Sequence, residues 1–429
     1  MSTMAVLLVF FISYLLIMLE KIDRALIAGA GGIIMLLIGI YDIDTAFLKY
    51  IDWNTIALLF SMMIIISITG KTGIFEYVAI VLAKVVHGKP IPLLIVISLL
   101  SAIGSAFLAN VTIVLLIVPV IMTLVRLLNI PAIPYLISII IFSNIGGTAT
   151  LIGDPPNIMI GQAVDHLSFN DFLTNLTPVV TIILVVVTFY LIFIYKFELI
   201  SNQTNSEKLN EIQAKNYLHK TSALPKSLFV LVLTIGGFVF QPFLHVDLTS
   251  IALGGAILLM LLTHDEYRTD DVLKQVEWTT LFFFIGLFLL VGGLEEVGIL
   301  DELAMGLILY TEGDLPKTSM IILWITGVLS GFVDNIPFVA AMIPVILELK
   351  EYGMTNLDPL WWSLALGACL GGNGTLLGSS ANLVVAGLAK KEKENVSFLE
   401  FLKVGFPIVL VSLFISSIYI YFRYLIHFL

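Results

Sequence analysis

The chain has 429 residues, 59% hydrophobic and only 12% charged, with a formal net charge of −10 and a mean hydropathy of +1.06. A water-soluble domain carries about twice that share of charge, because its surface must face water, so a globular soluble enzyme is excluded. The single cysteine, Cys369, lies in an apolar segment, which excludes a disulfide framework and a thiolate metal cluster.

Apolar runs recur along the whole chain, at 4–19, 56–69, 179–195, 228–243, 280–293 and 404–421. With their flanks, each approaches the length needed to cross about 30 Å of hydrocarbon. The first run reads as a span and not as a cleaved leader, since no basic residue precedes it and no small-x-small site closes it. Lys21 and Arg24 follow it. Lys71, Lys84, Lys89 and Arg126 come next among the basic residues of the first half, and the segment 197–226 carries Lys208, Lys215, Lys220 and Lys226. Lys390, Lys391 and Lys393 precede the last run, while the loops between these clusters hold Asp42, Asp44, Asp52, Asp165, Asp247 and the acids from Glu295 to Asp314. The positive-inside bias predicts cytoplasmic Lys-bearing loops and external termini, with the acidic loop 264–277 as an exception.

The sequence repeats itself at an offset of 225. Ile-Asp-Trp-Asn-Thr at 51–55 falls on Val-Glu-Trp-Thr-Thr at 276–280, and Gly-Ile-Phe-Glu at 73–76 on Gly-Ile-Leu-Asp at 298–301. Ser-Ala-Phe-Leu-Ala-Asn at 105–110 matches Ser-Gly-Phe-Val-Asp-Asn at 330–335. Gly-Gly-Thr-Ala-Thr-Leu-Ile-Gly-Asp-Pro-Pro-Asn at 146–157 matches Gly-Gly-Asn-Gly-Thr-Leu-Leu-Gly-Ser-Ser-Ala-Asn at 371–382. Each half reads as two spans, a Trp-led third span, a short amphipathic stretch (73–86; 298–310), a re-entrant hairpin (91–128; 320–349), a broken span and a final span. Five crossings per half is an odd number, so the second half is inverted relative to the first, the arrangement that suits alternating access. The predicted fold is therefore an all-α polytopic membrane protein of two inverted repeats, 1–196 and 227–429, joined by a cytoplasmic linker, 197–226.

Polar and helix-breaking residues fall where a plain span should be apolar. The hairpin tips carry Asn110 and Thr112 in one half and Asp334 and Asn335 in the other. The broken spans carry Asn144, Gly146, Gly147, Thr148, Thr150, Asp154 and Asn157, and their mates Asn373, Thr375, Ser379 and Asn382. Backbone freed from a helix at membrane depth is tolerated only inside protein or along a wet cavity, and half-helix ends there bind ions. Gly29, Gly31, Gly32, Gly254 and Gly255 can serve close helix packing, and Trp53 and Trp278 read as interfacial anchors. Asp154 and Asp334 are the carboxylates placed at membrane depth, where a charge is costly and usually functional. If each tip faces its own broken span, two pseudo-symmetric sites form. One holds Asn110, Thr150 and Asp154, the other Asp334, Asn335 and Thr375, and such hard oxygen ligands suit Na⁺ or a proton. No His is placed at depth, since His166, His219, His245, His264 and His427 fall in loops or at ends. An enzyme's nucleophile–base pair is thus missing.

These motifs, with Phe-Leu-Glu-Phe at 398–401, resemble the ion transporter superfamily of arsenite permeases, divalent anion:sodium symporters and bacterial sodium/proton antiporters. Within it the chain is similar to the branch of the melanosomal P protein (pink-eyed dilution). The resemblance implies a scaffold and a mobile transport domain working as an elevator in a plasma-membrane homodimer, with hairpin tips and broken spans forming the binding site. In the anion symporters the tips read Ser-Asn-Thr. Here they read Ala-Asn-Val at 109–111 and Asp-Asn-Ile at 334–336, and no basic residue is expected at depth to pair with an anion. The expected activity is cation/proton exchange, Na⁺/H⁺, with Asp154 and Asp334 alternating between proton and cation. The alternatives are an anion or arsenite/antimonite permease and a passive anion channel. No cofactor beyond a coupling Na⁺ or H⁺, and no nucleic acid, is expected.

Overall fold

A computed structural model describes residues 2–19, 21–200, 209, 212–219 and 221–426, and among them the regular structure is helical. The first half runs α1 (Ser2–Leu19), α2 (Arg24–Leu37), α3 (Trp53–Gly70), α4 (Ile74–Val85), α5 (Pro90–Phe107), α6 (Asn110–Leu128), α7 (Ile133–Gly147), α8 (Pro155–Ala163) and α9 (Phe169–Ile200). The second runs α10 (Ala223–Val239), α11 (Leu248–Thr263), α12 (Trp278–Glu296), α13 (Ile299–Thr311), α14 (Leu315–Ser330), α15 (Asn335–Glu348), α16 (Asp358–Gly371), α17 (Ser380–Lys391) and α18 (Phe398–Ile420). By length and composition, α3, α5, α6, α9, α12 and α18 could each cross a membrane, and α1, α2, α7, α10, α11, α14 and α15 are shorter apolar helices.

Helix starts follow the local chemistry. Asp52 accepts from the N–H groups of Asn54 and Thr55 and opens α3, and Asp247 accepts from Ser250 N and opens α11. In the loop before α3, Asp42 accepts from Thr45 N at 2.7 Å. Backbone N–H donors hold the Asp42 and Asp247 carboxyls below their ordinary range. Gly73 and Gly298, at φ +75° and +74°, turn the chain into α4 and α13. Glycine adopts that left-handed conformation without the steric cost other residues meet.

Two groups of helices pack against each other. In one, α2 lies along α12 and α3 along α11, with α1 and α10 beside them. In the other, α5 lies along α7 and α14 along α16, with α9 and α18 against them. The halves interlock, because α6 packs on α17 and α15 on α8. Where the broken helices touch the hairpin arms, the contact is backbone on backbone. A Cβ on Gly146 would stand 2.1 Å from Ala102 O, and one on Gly371 would stand 2.5 Å from Gly327 O.

The segment 197–226 is helical at both edges, since α9 continues to Ile200 and α10 begins at Ala223. The apolar positions at 197, 199 and 200 let α9 run on. Lys208, Lys220 and His427 lie outside the described residues. The described part of the segment turns back onto the end of α3, where His219 N donates to Thr72 O at 3.0 Å.

Candidate functional site

The hairpin tips and the helix breaks converge. Between α5 and α6 the chain is extended for two residues, Leu108 and Ala109, so Asn110 enters α6 at its first position and is buried. Asp334 is likewise extended, and Asn335 begins α15. At the breaks, α7 ends on Gly147 and α8 begins at Pro155, while α16 ends on Gly371 and α17 begins at Ser380.

Each break is closed by its own asparagine. Asn157 Nδ2 donates to the carbonyls of Thr148 (3.1 Å) and Thr150 (2.9 Å). Asn382 Nδ2 donates to those of Gly372 (2.8 Å) and Thr375 (2.9 Å). The side-chain oxygens of the same two residues accept from the other half of the chain. Asn157 Oδ1 accepts from Cys369 Sγ at 3.5 Å, and Asn382 Oδ1 from Asn144 Nδ2 at 3.0 Å. Asn144 also donates to Asn373 Oδ1 at 2.9 Å. Residues buried to 1% exposure or less thereby satisfy the carbonyls that the breaks release.

Asp154 sits at the centre of this lattice, 1% exposed. It holds the N-cap position of α8 but caps nothing. The next two residues are Pro155 and Pro156, which have no N–H to offer, so the carboxylate turns to the tips. Asn110 Nδ2 lies 3.4 Å from Asp154 Oδ1, and Asn335 Nδ2 lies 3.4 Å from Oδ2. Both contacts are longer than the roughly 2.9 Å of a full-strength bond. Among the described residues no cationic side chain forms an ion pair with it. A single carboxylate is thus held loosely between both hairpins, in the open-handed way that suits a small cation or a proton.

Asp334 is bound quite differently. Its Oδ1 accepts from Ile336 N (3.2 Å), and its Oδ2 accepts from Arg24 Nη1 (2.5 Å) and Ser380 Oγ (3.2 Å). Arg24 also donates to Ser380 Oγ at 2.6 Å, and its guanidinium lies 4.8 Å from the ring centre of Phe283.

Two expectations change here. The tips do not serve separate carboxylate sites: Asn335 joins Asn110 on Asp154. Thr150 and Thr375 do not extend to the carboxylates either, since Thr150 Oγ1 donates to Ala106 O and Thr375 Oγ1 accepts from Leu377 N at 3.1 Å. Second, a basic residue does reach a tip. Arg24, which in the sequence simply follows the first apolar run beside Lys21, is the first residue of α2. A cation at a helix N-terminus opposes the helix dipole, and that misplacement was the signal that it has a carboxylate partner. Gly146 and Gly147 serve close approach, Thr148 Oγ1 back-bonds to Asn144 O at 2.9 Å, and Ser379 is the buried counterpart of Asp154 at the start of α17. Thr112 is half-buried in the first turn of α6, outside the lattice.

The family model for citrate transporters matches residues 14–367. The chain belongs to the citrate transporter family. Relatives of this family member include a 46 kDa membrane protein of Mycobacterium leprae, 38% identical over 97% of this chain and 98% of that protein. A transporter of Mycobacterium tuberculosis is 39% identical over 99% of each. The human P protein is 32% identical over 95% of this chain and 58% of its own length. The YdaH transporter of Alcanivorax borkumensis shares the fold, with a TM-score of 0.55, 98% and 97% coverage and 12% identity. This citrate transporter family member is therefore a multi-pass membrane transporter of a small ion or anion, and not an enzyme.

Proposed function

We propose that the chain is a secondary active transporter that exchanges a cation, Na⁺ in the first instance, for protons. The observation that carries this reading is Asp154, buried between Asn110 and Asn335 with two long amide contacts and no counter-ion among the described residues. A carboxylate so placed is stabilised only by taking up a proton or a cation, and competition between the two couples their fluxes. Asn110, Asn335 and Asp154 supply the oxygens for Na⁺, with Asn144 as support. The two halves act as inverted repeats with re-entrant hairpins. The α5–α9 and α14–α18 group is the mobile domain of an elevator, and the α1–α3 and α10–α12 group is the scaffold of a plasma-membrane homodimer with cytoplasmic Lys-bearing loops.

A second reading, an anion such as citrate as cargo, is favoured by the family description and by Arg24 at the second tip. Purified protein in liposomes with an internal pH dye separates the two under imposed Na⁺, K⁺, Li⁺, chloride, citrate and arsenite gradients. Proton movement that follows Na⁺ or Li⁺ and is lost in Asp154→Asn supports exchange. Movement driven by citrate or arsenite alone overturns it.

A further inference from the structure

Arg24 stands where the two helix groups meet. It belongs to α2, which packs along α12, while both of its hydrogen-bond acceptors, Asp334 and Ser380, belong to the other group. The remaining ion pairs among the described residues join neighbours within a group or a loop, as Lys49 with Glu295 and Arg126 with Glu392 do. A second polar contact reaches the same tip, the Tyr14 hydroxyl of α1 donating to Pro337 O of α15 at 2.8 Å. Both reach the first turn of one hairpin arm. The side chains of Arg24 and Asp334 are 27% and 13% exposed, so the pair is shielded enough to hold and open enough to part.

A carboxylate also stands on Arg24's own side of the boundary. Glu277 is half-buried at the N-cap of α12, the helix along which α2 packs. Among the described residues, its Oε2 accepts from the Thr280 hydroxyl at 3.1 Å and forms no ion pair. The Phe283 ring, on the same helix, lies against the guanidinium. A tip leaving its present place strands Asp334 without its cation, a costly loss at membrane depth, but Arg24 need not stay bare.

The geometry points to Arg24 as a positioning residue that latches the second hairpin tip to α2 through Asp334 and Ser380 and passes to Glu277 when the tip moves away. The role rests on the two-group reading above but not on which ion is carried. It makes Asp334 a counter-ion of the latch and leaves exchange to Asp154.

Hydrogen–deuterium exchange on the full chain in lipid nanodiscs tests the latch without any transport assay. Arg24→Gln and Asp334→Asn should each speed amide exchange in residues 331–340 on the order of tenfold. The double variant should match either single, because the same contact is lost only once. Glu277→Gln should slow exchange there about threefold, having removed the competing acceptor. Multiplying effects in the double variant, or single variants with wild-type exchange at the tip, overturn the latch. Unchanged or faster exchange in Glu277→Gln overturns the hand-over. Peptides from α9 report whether a variant has merely unfolded.

Discussion

Asp154 and Asp334 lie within one lattice of hydrogen bonds, contacted by or adjacent to the same Asn335, yet their surroundings give them opposite characters. Asp334 caps its helix, accepts from a hydroxyl and holds a guanidinium at 2.5 Å. Asp154 precedes two prolines, its side chain caps nothing, and it meets two amides at 3.4 Å and the neutral Cys369 thiol but no cation among the described residues. Burial alone does not make a carboxylate a transport group. What matters is whether its neighbours leave it something to gain from an arriving ion.

The largest effect should come from making Asp154 neutral. Asp154→Asn should reduce proton-coupled flux to that of empty liposomes while the protein remains folded. The Arg24→Gln/Asp334→Asn double variant should keep measurable coupled flux, and equal loss in both would erase the distinction. Next, Gly146→Ala drives a methyl into the Ala102 carbonyl and should lower stability by about 3 kcal/mol, read as a fall in melting temperature. Gly387→Ala, inside a helix where nothing lies within 4 Å, should leave melting unchanged or raise it slightly. Asn110→Ala and Asn335→Ala each remove one amide from Asp154. Their effects should be alike, about 1 kcal/mol in apparent ion affinity, measured as the shift in half-saturating Na⁺. A marked asymmetry would mean that one hairpin alone serves the site. Smallest of all, Lys49→Gln breaks an exposed pair with Glu295, whose side chains are 55% and 40% accessible. It should change melting by no more than about 0.5 kcal/mol and leave flux intact, which sets it apart from the shielded Arg24 pair.

Much of this was legible in the residues. The 225-residue offset already implied paired hairpins and paired breaks, and Gly73 with Gly298 and Gly146 with Gly371 turn out to be conformational and steric necessities at matching places. The polar residues at the tips and breaks do converge. Their partners were not legible, because a repeat specifies which positions correspond and not which ones touch. Asn335 reaching over to Asp154, and Asn144 to Asn382, join residues 181 and 238 apart, and no local pattern encodes either. Arg24 was hidden because a basic residue beside Lys21 reads as part of a positive loop. Only its position as the first residue of α2, where a cation is disfavoured, hinted otherwise.

The interlocking breaks also bear on how the protein is made. Asn144 is synthesised 238 residues before Asn382, the acceptor of its amide. At roughly 5–20 residues per second of synthesis, that is about 12–48 s during which the first half sits in the membrane with the Asn144 amide lacking its acceptors on Asn373 and Asn382. Nascent chains in that interval are natural clients for any factor that shields polar groups from lipid. A fragment ending after α9 should accumulate as such a client until the second half is supplied as a separate chain.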